Sequence, residues 1–229
     1  MTSSIIPQLV KKDLLILRKT ILFYALVSLL SIVVVFLLFG KVSNVILMNI
    51  AFTLLLAPAA TCGIVMLMRT NVMEKEKNTQ LFIMSLPVSV KEFTWAKLLA
   101  NLPVFSGFWL AVCVTAFYLV FGLGLLPLGA IPFICILFLG VFVAYTCILC
   151  VSLVFQSLNF TVISLTVAEL GTVAYLWFIA LYEPINRHVY EPSPVWNTTA
   201  VSIVIAQIVV AVFMIFLTFH LQQKKRDFS

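Results

Sequence analysis

ILFYALVSLLSIVVVFLLFG, residues Ile21–Gly40, runs for 20 positions without a charged side chain. A bilayer hydrocarbon core needs about 20 apolar residues per helical crossing, so this stretch reads as one span. The same pattern returns at Val45–Met68, Leu98–Phe121, Leu128–Phe155, Phe160–Tyr182 and Thr199–Leu221. Only one acidic residue, Glu169, sits deep inside any of the six. A charge at the bilayer centre costs at least ~2.5–3.5 kcal/mol, so its scarcity is informative. The chain reads as an all-α integral membrane protein with six transmembrane helices.

Composition agrees. Of the 229 residues, 63% are hydrophobic and 10% charged, against about 25% charged in soluble domains. Spans and short connections consume nearly the whole length, giving a single transmembrane domain over 1–229. No soluble catalytic domain of roughly 100–150 residues fits beside them. Breaks fall at Gly40-Lys41, Gly122 to Pro127, Gln156 to Asn159 and Glu183 to Asn197. Such short connections make successive spans antiparallel neighbours.

Basic residues set the predicted orientation, because cytoplasmic loops collect Lys and Arg. With the N-terminus inside, 12 of the 14 basic residues are cytoplasmic and only Lys41 and Arg187 lie outside. Both termini are then cytoplasmic, and the net charge of +6 reflects topology. Nucleic-acid binding is excluded as a reading, since no basic soluble domain exists to carry it. Residues 1–20 are expected to be an interfacial amphipathic helix and not a cleaved signal peptide. On a helical wheel Ile6, Leu9, Val10, Leu14 and Leu17 cluster, with Lys11, Lys12, Arg18 and Lys19 opposite; Asp13 and Leu15 break the pattern.

The one sizeable inner loop, residues 69–97, is RTNVMEKEKNTQLFIMSLPVSVKEFTWAK. Pro87 favours a break after Leu86. Ser89 and Glu92 have capping-box spacing, so a helix should start there and run through Trp95 and Lys97 into the third span. Helical extensions on both sides of an apolar patch suit docking against a soluble partner and transmitting its motion.

The succession Glu74-Lys75-Glu76, Thr79-Gln80-Leu81, Ser85-Leu86-Pro87-Val88-Ser89, Glu92 and Lys97-Leu98-Leu99 resembles the type-2 ATP-binding-cassette (ABC) transporter permeases. The resemblance extends to the N-terminal amphipathic helix, the six spans and the inward C-terminus. Val90 stands where the family commonly has Arg, and Lys91 follows one position later. The outer loop, residues 183–198, with Pro184, Pro192 and Pro194, leaves room only for a small re-entrant element. The resemblance implies a bacterial inner-membrane exporter subunit that pairs with a second permease copy or a paralogue. Separate ATPase subunits would dock on the inner loop and bind ATP and Mg. Glu74, Leu81, Phe82, Leu86, Pro87 and Glu92 are then the expected ATPase-coupling residues: Leu81, Phe82 and Leu86 insert into the ATPase, and the charges orient them.

The chain has no nucleotide-binding loop of its own. Such a loop needs Gly-x-x-x-x-Gly-Lys-Ser/Thr to wrap phosphates with backbone amides. Around the only Gly-Lys pair, Gly40-Lys41, Val35 and Val42 replace the leading Gly and the hydroxyl residue. No catalytic, cofactor or metal residues are therefore expected in this chain.

Glu169 is the intramembrane polar candidate, either a point on a transport path or a carboxyl hydrogen-bonded to Ser164, Thr166, another span or another protomer. The small-residue patch Ala59–Gly63 favours close helix packing. Cys62, Cys113, Cys135, Cys147 and Cys150 all fall in spans and read as small core hydrophobes. His188, between Glu183 and Glu191, reads as a solvated loop residue. Two other function classes stay open: a gradient-driven transporter using Glu169, and a non-transporting assembly subunit. The substrate is not legible.

Overall fold

A computed structural model describes residues 5–76 and 88–224. Its elements in chain order are α1 (Ile5–Leu38), α2 (Asn44–Leu67), a π-helical turn (Met68–Val72), α3 (Met73–Glu76), α4 (Val90–Phe117), a second π-helical turn (Tyr118–Gly122), α5 (Ile131–Phe155), α6 (Leu158–Leu181), α7 (Glu183–Asn186) and α8 (Thr198–Lys224). Among the described residues, six helices are long and apolar enough to cross a membrane. They coincide with the six predicted spans. The apolar stretches of α6 and α8 are each only 6% buried within the chain. That leaves rows of Val, Leu and Phe facing outward, as suits helices whose solvent is lipid.

The amphipathic N-terminal segment and the first span form one helix, α1, unbroken from Ile5 to Leu38. No Gly or Pro interrupts residues 8–20, and Pro7 lies in the first turn, where its missing amide costs nothing. At 1.5 Å per residue the 34 residues reach about 51 Å, against a hydrocarbon core of about 30 Å. The excess length carries the basic residues beyond the apolar zone.

The long helices form two groups of three. α1, α2 and α4 pack on one another, as do α5 with α6 and α8; α4 touches α5 and α8 to join the groups. α2 meets α5 at Gly63, where an added Cβ would lie 2.6 Å from Tyr145 Cε2 and 2.9 Å from Phe105 Cδ2. Those two rings stack with centroids 3.6 Å apart, and Ala59 and Cys62 are buried beside them. The predicted small-residue patch is thus a packing surface. In the second group Gln207 Nε2 donates to Ile136 O (2.9 Å) and to the Tyr175 hydroxyl (2.6 Å). One end of α8 is tied down by Gln222 Nε2, which donates to Leu153 O.

The connection before α8 contains a single short helix, α7. Gly129 N donates to Glu191 O at 2.9 Å, holding this connection against the start of α5. Asn197 caps α8: its side chain accepts from Ala200 N at 2.8 Å and donates to Pro184 O at 2.6 Å. His188 is more constrained than a solvated residue, since its Nδ1 pairs with Glu191 Oε1 at 2.7 Å and its Nε2 accepts from Arg187 Nε at 2.9 Å.

Candidate functional site: a buried charge cluster

Four residues on α1 at helical spacing, Leu9, Asp13, Leu17 and Thr20, form its buried stripe. Leu9 packs with Phe93 and Ala96 of α4, and Leu17 with Cys62 and Met66 of α2. Asp13, only 1% exposed, lies between these two apolar patches. A lone carboxylate there would cost several kcal/mol. It is answered by Lys97 of α4, 2% exposed, whose Nζ donates to Asp13 Oδ2 at 3.0 Å.

The same ammonium donates to Glu74 Oε2, while Lys12 Nζ donates to Glu74 Oε1 at 2.7 Å. Lys12 Nζ also lies 3.1 Å from Asp13 Oδ1, an ion pair whose angles do not make it a hydrogen bond. Two carboxylates and two ammoniums thus neutralise one another where α1, α3 and α4 meet. Phe93 borders the cluster, with Lys97 Nζ 5.5 Å from its ring centroid. Burial works to lower the Lys12 pKa, but the hydrogen bond to Glu74 and the fields of Asp13 and Glu74 outweigh it and hold the pKa above the ordinary lysine value.

A polar seam continues from the cluster. The π-helical turn inserts an extra residue, so that Thr70, Asn71 and Val72 are buried in succession; such turns recur at functional positions. Asn101 Nδ2 donates to Thr70 Oγ1 (3.1 Å) and to Lys97 O (2.9 Å). Asn71 Nδ2 crosses to Ser152 Oγ of α5 at 2.8 Å, and Arg69 reaches Thr20 of α1 at 2.7 Å. Charges and amides therefore connect α1, both flanks of the inner loop and α5 at one end of the bundle.

The sequence-predicted coupling residues divide three ways. Glu74 lies inside the charge cluster, 8% exposed, so its charge is already engaged within the chain. Glu92 completes the predicted capping box, donating its amide to Ser89 Oγ (3.2 Å) and accepting from Ser89 N (2.9 Å). Hydrogen bonds from the Ser89 side chain and then its backbone hold the Glu92 carboxyl below the usual carboxylate range. Leu81, Phe82, Leu86 and Pro87 lie outside the described residues.

Glu169 makes neither of the hydrogen bonds weighed for it within the chain. Ser164 and Thr166 turn back to the carbonyls of Thr161 and Val162, and Glu169 points out from α6, exposed. Sequence reasoning missed Asp13, Asn71, Lys97 and Asn101 as site residues. Asp13 carried a signal as the acid that breaks the amphipathic wheel, because an acid on an apolar stripe requires a buried cation.

Comparison with protein-family models gives no match, and comparisons with curated proteins and with solved structures give none either.

Proposed function

We propose that the chain is the membrane permease subunit of an ATP-driven exporter of the type-2 ABC class, in a bacterial inner membrane with both termini inside. The observation that carries this reading is the clamp at the inner loop. Glu74, at the loop's first flank, and Lys97, at its second, meet each other and Asp13 of α1. Flanks so clamped move together with α1, and that is what coupling to a soluble motor demands. The motor is a separate ATPase chain that binds ATP and Mg, and Leu81, Phe82, Leu86 and Pro87 form the apolar contact offered to it. Glu74 acts as an internal fastener and Glu92 as the cap that sets the second flank.

A second permease copy, or a paralogue, covers the outward face of α6. A charge left in lipid costs at least ~2.5–3.5 kcal/mol, and a facing helix of the second permease would take Glu169 out of lipid.

One purification tests the proposal. The tagged protein is drawn from its native membrane in mild detergent, as wild type, Phe82→Asp and Glu169→Leu. The wild type should bring down a soluble subunit with ATPase activity. Phe82→Asp should lose that subunit while remaining inserted, and Glu169→Leu should separate the permease pair. A wild type that purifies with no ATPase, or a Phe82→Asp variant that retains it, removes the exporter reading.

A further inference from the structure

Above Gly63, on the side away from the charge cluster, α2 and α5 leave a cavity of about 260 Å³ between them. Its floor is α4 and the π-helical turn that follows it, where Val112 and Leu119 are 4% and 2% exposed. Leu125 and Phe52 of α2 also line it, and Phe52 is 40% exposed. Asn49 is the only lining residue with a polar side chain.

We propose that this cavity holds one acyl chain of a bilayer phospholipid. The proposal does not depend on the exporter reading. Two observations select the occupant. Water needs two to four polar partners to stay in a cavity, and apolar cavities stay dry yet take apolar guests; these walls exclude sugars, nucleotides and ions for the same reason. The walls come from the halves of three spans farthest from the charge cluster, with Leu125 and Leu126 of the connection after α4, and the medium around apolar spans is acyl chain. A flexible acyl chain fits the chemistry and the supply.

The full chain, reconstituted in phosphatidylcholine vesicles with a photoactivatable diazirine midway along one acyl chain, provides the test. After illumination the labelled positions are mapped by peptide mass spectrometry. Label is expected on Val112 and Leu119, which a chain sliding over the outer surface does not reach. Ala116→Phe and Ala51→Leu, filling the cavity from α4 and α2, should each abolish that label. Label on the outward Leu26 and Phe216, 63% and 70% exposed, should persist in both and reports that the fold survives. The proposal is overturned if Val112 and Leu119 stay unlabelled while Leu26 and Phe216 are labelled. It is equally overturned if filling leaves the floor label unchanged, or if Val112 crosslinks to another polypeptide.

Discussion

In the α1–α2–α4 group, two carboxylates and two ammoniums sit together at one end, three of them under one-tenth exposed. In the α5–α6–α8 group, the cross-helix polar contacts described above come from neutral amides, Gln207 and Gln222, reaching backbone carbonyls and a tyrosine hydroxyl. The two chemistries behave differently when broken. Ile136 O, in the body of α5, still holds its helical hydrogen bond when Gln207 is lost, and interhelical hydrogen bonds in membranes average ~0.6 kcal/mol. A buried charge that loses its partner has no such fallback and costs about 3–5 kcal/mol. The first group is fastened all-or-none, and the second is held by small, replaceable increments.

The sharpest way to break this contrast is Lys97→Met. It leaves Asp13 and Glu74 sharing Lys12, and should lower stability by about 3 kcal/mol, the low end of the range for a broken buried pair. Thermal unfolding in detergent measures it. The triple variant Asp13→Leu, Glu74→Gln, Lys97→Met should recover much of the loss, since apolar replacement of a whole buried ion cluster is often neutral. A Lys97→Met loss no larger than that of a glutamine variant would erase the difference between the groups.

Next in size is Asn71→Leu, which cuts the bond from the π-helical turn to Ser152. An expected loss of about 1–2 kcal/mol should be accompanied by faster hydrogen exchange at the facing ends of α2 and α5. Gln207→Leu should cost only about 0.6 kcal/mol in the same unfolding assay.

The smallest effect separates the groups by pH. Lys12 is charged more readily in the folded chain than in the unfolded one. Its contribution is therefore fully present below about pH 10.4, the ordinary lysine value, and is lost as pH rises through the raised folded value. Stability measured towards high pH should fall for the wild type, and this part of the fall should be absent in Lys12→Gln.

The spans were legible because twenty uncharged residues in a row have one physical solution, and the capping box was legible because its two partners are three residues apart. The charge cluster was not, because its members are far apart in sequence: Asp13 and Lys97 are separated by 84 positions. Single-sequence periodicity marked Asp13 as a misfit but had no means of finding its partner. The π-helical turn was hidden for a related reason, since Thr70 and Asn71 accept an irregular backbone only once Asn101 and Ser152 are there to bond them. Glu74 was singled out for its charge and assigned an external partner, while the cation that engages it lay at the far end of the same loop.

The distance along the chain between Asp13 and Lys97 also has a consequence for biosynthesis. Ribosomes add roughly 5–20 residues per second, so Asp13 emerges roughly 4–17 s before its cation does. During that interval the first two spans can insert, but the acid on α1 has no buried place to go and must remain in water or at the headgroups. Only when the start of the third span appears can α1 close down on the bundle. The closing of α1 onto the bundle therefore waits on a single lysine.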